Sequence, residues 1–152
     1  MFKPISILDA APQIEAGQLA PLELVERCLE QIDRYEDRVH AWVVVDAEGA
    51  RRVAGQLGEE IAQGKYRGPL HGIPIGIKDI VDVAGLPTRA GSPLLSDEPK
   101  PDDAPLVALL RRAGAIILGK TVTCQFACFD PSPTRNPWSP TLEHTPGGSS
   151  SG

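Results

Sequence analysis

Lys78 lies in GIPIGIKDIVDV, with Ile75, Ile77, Ile80 and Val81 around it. Burial among such residues disfavours the ammonium, and a neutral amine is a competent general base near neutral pH. Far along the chain, PGGSSSG places Ser149, Ser150 and Ser151 directly after the pair Gly147 and Gly148. Glycines permit positive φ and close backbone approach, so this stretch can present a hydroxyl from a tight loop. Lysine with serine is a recognised base-and-nucleophile combination for acyl transfer. Each half has a plainer alternative. Lys78 could pair with Asp79 or Asp82 as a strand-end ion pair, and PGGSSSG could be a Gly/Ser linker. The preceding residues weigh against a spacer, because RNPWSPTLEHTPGG carries a tryptophan, three prolines and a histidine.

Two other patterns invite chemistry. Cys124 and Cys128 are spaced i, i+4, with His71 and His144 elsewhere, and soft ligands at helical spacing can hold a metal. Two cysteines without a second nearby pair are more often small buried apolar residues, so no metal site is expected. Cys124 as a nucleophile with Lys78 as partner is a rival enzyme reading of the nitrilase kind, and it needs a carboxylate base that the sequence does not identify. GAIILGKT, Gly114 to Thr121, matches the phosphate-loop pattern letter for letter. That loop must follow a strand, expose its N–H groups and open a helix. Here a helix precedes Gly114 and the middle residues Ala115 to Leu118 read as strand core, so phosphate binding is rejected.

The elements that must position these residues follow from periodicity. A short helix is expected over residues 5–16. Residues 22–38 form a second, with Val25, Cys28, Leu29, Ile32 and Tyr35 on one stripe. A third runs from Asp46 to Gln63, with Gly64 as its stop. HAWVVVD between them is ambiguous between strand and linker. IPIGIKDIVDVAG reads as a strand or hairpin. Asp102 or Asp103 then caps a helix with Leu106, Val107, Leu109 and Leu110 inward, and AIILG follows as a buried strand. A helix followed by a fully apolar strand implies an α/β fold with helices over a sheet. The last two dozen residues have no periodicity and read as a long functional loop.

Composition bounds the rest. The 152 residues suffice for one ordinary domain. Fifteen Lys and Arg against 20 Asp and Glu give a net charge of −5, which argues against a nucleic-acid surface. No run approaches the ~20 apolar residues of a membrane span. Three cysteines imply no disulfide framework, and the N-terminus does not read as a signal peptide, which together suggest a cytoplasmic protein. Twelve of the 15 prolines follow residue 68, so a helix-rich stretch, 1–67, precedes a turn-punctuated one, 68–152.

Four stretches resemble the amidase signature family: GPLHGIPIGIKDIVDVAGLPTRAGSPLL, DDAPLVALLRRAGAIILGKTVTCQFA, TRNPWSP and HTPGGSSSG. They run in the family's order over residues 68–152, and together they are highly specific. The resemblance implies the N-terminal part of the amidase-signature fold, helices packed on a mixed β-sheet, with 1–67 as the variable helical region. It implies cleavage of a carboxamide carbon–nitrogen bond through a Ser–cisSer–Lys triad. On that pattern Lys78 is the base, and Ser149, entered by a cis peptide, relays its proton. The nucleophilic serine and the oxyanion donors belong well downstream of Ser149. The chain is accordingly expected to be a partial amidase domain, inactive alone and poorly soluble. Thr121 to Phe129 is expected to form one wall of the substrate pocket. No cofactor is implied; the partner is a small-molecule amide, and a homodimer of the full-length protein is compatible with the pattern. The alternatives are an A-type subunit of a tRNA-dependent amidotransferase and a non-catalytic binding remnant.

Overall fold

The computed structural model describes residues 4–128, 130–141 and 143–152. Helix α1 (Ile7–Glu15) begins where the Ser6 hydroxyl accepts the Asp9 N–H at 3.1 Å, a cap that contributes about 1 kcal/mol. Helix α2 (Pro21–Val39) opens on proline, which has no N–H to leave unpaired in the first turn. HAWVVVD resolves into strand β1 (Trp42–Val45). Helix α3 (Ala47–Ala62) is capped by Asp46, whose carboxylate accepts the Gly49 N–H at 2.9 Å. Gly64 follows at φ 73°, the left-handed stop that only glycine adopts without cost.

The second half supplies β2 (Pro74–Lys78), α4 (Pro105–Arg112) and β3 (Ile116–Thr121). The sheet order is β1-β3-β2. β1 runs antiparallel to β3, with Trp42 opposite Thr121 and Val45 opposite Gly119. Ile116 N–H bonds Ile73 O and Asp79 N–H bonds Thr121 O, so both numberings rise together and β2 is parallel to β3. The fold is therefore α/β with a mixed sheet, as the sequence implies.

Two compact units, each of separated segments, make up the chain. One comprises Met1–Glu30, Asp46–Ile75 and Ala108–Leu118. Its core gathers Ala10, Ile14, Leu19, Leu24 and Ile73, with Ile5 and Ile61 packed against them. His71 is buried here, its Nε2 donating to Leu57 O at 3.0 Å and its Nδ1 accepting the Arg67 N–H at 3.3 Å. The other unit comprises Gln31–Val45, Gly76–Val107 and Gly119–Gly152, and it contains every residue of the candidate site.

Two local expectations are corrected. On α2 the buried seam is Leu24, Val25 and Leu29, and Tyr35 is 40 % exposed. On α4 Val107 is fully buried, whereas Leu106 and Leu109 are more than half exposed. These two leucines are an i, i+3 pair rotated about 100° from Val107 and Leu110, so one helix cannot bury both pairs against one surface. IPIGIKDIVDVAG is a strand but no hairpin. The Ile80 and Val81 N–H groups both turn back to Lys78 O, ending β2 at the lysine. GAIILGKT is strand core, with Ile116, Ile117 and Leu118 at most 5 % exposed.

Candidate active site

β2 ends on Lys78, whose Nζ donates to Ser149 Oγ at 2.7 Å; both residues are half-buried. The PGGSSSG segment is shaped for this contact. Gly147 and Gly148 take φ of 81° and 68°, turning the chain in a way side-chain-bearing residues resist. Beyond the turn, Ser150 pairs with Thr123 in an antiparallel bridge, and Gly152 N–H bonds Val122 O at 3.0 Å. A flexible spacer would make neither contact. The segment is a pinned loop that holds one hydroxyl against one lysine.

The plain alternative for Lys78 is overturned. Asp79 pairs with Lys120 Nζ at 2.9 Å, and Asp82 lies 4.0 Å from Lys100. The expected cis linkage at Ser149 is also corrected: the described peptide bonds are all trans. A cis bond before a non-proline residue is costly and needs enforcement by its surroundings. The two left-handed glycines already bring Ser149 Oγ to Lys78 through a trans bond.

Ser149, Gly147 and Gly148 line a cavity of about 550 Å³ together with Cys128, Asp130 and Thr145. Asp130, Pro131 and Ser132 also line a second cavity of about 660 Å³, which Arg89, Ser92 and Gln125 furnish with polar groups. There Gln125 Nε2 donates to Ser92 Oγ at 3.0 Å. Thr123, Cys124 and Gln125 line the second cavity and Ala127 and Cys128 the first, so the Thr121 to Phe129 segment borders both; Phe129 lies outside the described residues.

The cysteine readings lose their geometry. Cys124 is 2 % exposed and its thiol donates to Cys128 O at 2.7 Å, across a short 3₁₀ turn at Gln125–Ala127. His144 Nδ1 bonds the Ser139 hydroxyl at 2.9 Å. Among the described residues, no group of three or more His, Cys, Asp or Glu side chains is arranged to hold a metal.

Sequence reasoning misses Lys120. As the lysine of the phosphate-loop look-alike it falls with that motif, yet it is fully buried beside Asp79. Its charge at the end of the apolar strand AIILG is the available signal, since a buried lysine demands a partner.

A family profile described as Amidase matches residues 23–152. The chain belongs to the amidase signature family. Among its relatives, a glutamyl-tRNA(Gln) amidotransferase A-type subunit from Salinispora tropica is 38 % identical over 97 % of this chain and 31 % of its own length. An amidase from Pseudomonas putida is 39 % identical over 94 % of this chain and 30 % of its own. In structure, a bacterial aryl acylamidase of the amidase signature enzymes superposes with a TM-score of 0.86 at 25 % identity, covering 96 % of this chain and 31 % of that one. The chain thus spans about a third of the length of these relatives. Family members of this kind are hydrolases acting on amides. Among the described residues, no helix is long and apolar enough to cross a membrane.

Proposed function

We propose that Lys78 and Ser149 are the proton-handling half of a Ser–Ser–Lys site that cleaves the carbon–nitrogen bond of a small linear carboxamide. The observation that carries this reading is the 2.7 Å contact between Lys78 Nζ and Ser149 Oγ, the serine lining a cavity. In this scheme the Lys78 amine accepts the Ser149 hydroxyl proton; Ser149 in turn takes one from the acyl-accepting serine as that oxygen attacks the carbonyl. The proton then returns along the same path to the leaving nitrogen, so ammonia departs neutral and an acyl-enzyme remains for water to release. Ser150 and Ser151 do not serve as the attacking hydroxyl in this scheme, because they follow Ser149 directly and Ser150 is tied to Thr123. The 152 residues are therefore proposed to be inactive alone. The scheme needs a further, acyl-accepting serine and its oxyanion donors. The net charge of −5 supports a small amide over nucleic acid as the partner of this site.

The test is ammonia release from a carboxamide by a protein joining these residues to an acyl-accepting serine. Lys78→Ala is expected to abolish release, and an unchanged rate in that variant would sink the assignment.

A second reading is favoured by the glutamyl-tRNA(Gln) amidotransferase subunits among the relatives. The same pair would then generate ammonia for transfer rather than release. Ammonia passed to an acylated acceptor only in the presence of partner subunits, with negligible release in their absence, would select it.

A further inference from the structure

Asp79 directly follows Lys78 in the chain and is fully buried. Left to itself, its carboxylate would be a competing partner for the lysine, and a carboxylate beside an amine holds that amine cationic. A cationic amine cannot take the Ser149 proton. Two groups occupy its carboxylate instead. Lys120 Nζ, itself fully buried on β3, pairs with Oδ1 at 2.9 Å, and the Arg89 backbone N–H bonds Oδ2 at 3.2 Å. Lys120 also donates to Pro87 O and Thr88 Oγ1, each at 2.9 Å, and these two bonds hold its ammonium beside the carboxylate. The other charged groups here are engaged in pairs of their own: the Arg89 guanidinium with Asp97, and Lys100 near Asp82. The Asp79 backbone completes the anchor, its N–H bonding Thr121 O and its carbonyl accepting the Ala90 N–H.

We infer that Lys120 is a positioning residue for Lys78: by occupying the buried Asp79 carboxylate, it leaves the Lys78 amine turned to Ser149. A buried ion pair is weak evidence of stability, since well-packed apolar residues often do as well. The role here lies in which lysine the aspartate takes. The inference rests on the reading of Lys78 as a base, and its test uses no substrate, so it fails independently of that reading.

The experiment is competitive acetylation of the intact chain with acetic anhydride across neutral to alkaline pH. Labelling of Lys78 is read by peptide mass spectrometry against the exposed Lys65. In Lys120→Gln, which keeps a donor for Pro87 O and Thr88, Lys78 turns to the vacated carboxylate. Its labelling near neutral pH is expected to fall ~10-fold, with the profile displaced to higher pH. Lys120→Arg, retaining the cation, holds the wild-type profile. Asp79→Asn/Lys120→Gln, which buries no charge at this place, returns to it. A wild-type Lys78 profile in folded Lys120→Gln overturns the inference. So does a double variant displaced from wild type, a comparison that stands even where the single variant does not fold.

Discussion

Lys78 Nζ and Ser149 Oγ meet at 2.7 Å although 71 positions separate them in the chain. One is the last residue of a strand, the other the first residue after a left-handed glycine turn, and neither reaches the contact without its own anchor. Backbone bonds fix Lys78 through Asp79 and Thr121, and fix Ser149 through Ser150, Thr123 and Val122. The contact is thus a product of how β2 and the end of β3 are joined.

If the two groups act as one proton relay, their removal is not additive. In a protein that also carries the acyl-accepting serine, Lys78→Met and Ser149→Ala are each expected to lower kcat by roughly 10³-fold or more, and the double variant to be no worse than the poorer single one. Steady-state kinetics of the three variants decides this. Multiplicative losses would assign the residues separate tasks.

Breaking the buried Asp79–Lys120 pair is expected to cost more stability than breaking the half-buried Lys78–Ser149 contact. Asp79→Asn leaves the Lys120 charge buried without its counter-ion and is expected to cost ~3–5 kcal/mol. Lys78→Met removes a half-buried contact and should cost less than about 1.5 kcal/mol. Urea midpoints at constant m-value compare the two.

Gly119 is expected to tolerate no side chain. Its φ is 152°, and a Cβ there would stand 2.1 Å from Val44 O, in the β1–β3 ladder. Gly119→Ala should lose at least ~2 kcal/mol. Gly17, at φ 68° with open space around it, should lose only the ~1–2 kcal/mol of the left-handed conformation. Thermal melts of the two alanine variants separate steric clash from backbone strain.

Glu60 gives the first unit an acid-sensitive tie. Its hydrogen bonds with Arg67 hold the carboxyl below the usual carboxylate range. A group whose folded pKa lies below its unfolded value, near ~4.3 for glutamate, contributes fully above that value and loses its contribution as pH falls through the folded one. Stability is therefore expected to drop below about pH 4, and Glu60→Gln should show a shallower decline over that range. Denaturant midpoints taken across the acid range measure the difference.

The three thiols should react in order of access. Cys128 is exposed, Cys28 is half-buried with its thiol pushed up by burial, and Cys124 is 2 % exposed and bonded to Cys128 O. Iodoacetamide labelling of the native protein, followed by mass spectrometry, is expected to give Cys128 first, then Cys28, with Cys124 protected until unfolding. Early labelling of Cys124 would contradict its burial.

The helices and β3 were legible because each rests on a local signal: an apolar period, a glycine stop at Gly64, an unbroken run in AIILG. Lys78 and Ser149 were legible as residue types out of place, a lysine among isoleucines and serines behind paired glycines. Their partners were not. Asp79 is equally close in sequence to Lys78 whichever lysine it binds, and only strand registry brings Lys120 to it. Leu106 and Leu109 failed for a related reason, since periodicity reports which residues share a face but not which face is covered.

The 71-residue separation between Lys78 and Ser149 also bears on time. Contacts between distant parts of a chain form only after the loop between them has been closed, and folds rich in such contacts are slow to assemble. Helices α1 and α3 can form locally and early, whereas the lysine–serine pair waits for β2 and β3 to register and for the glycine turn to dock. On a nascent or refolding chain, helical content should therefore appear well before the site does, and the last event to finish is the one on which the chemistry depends.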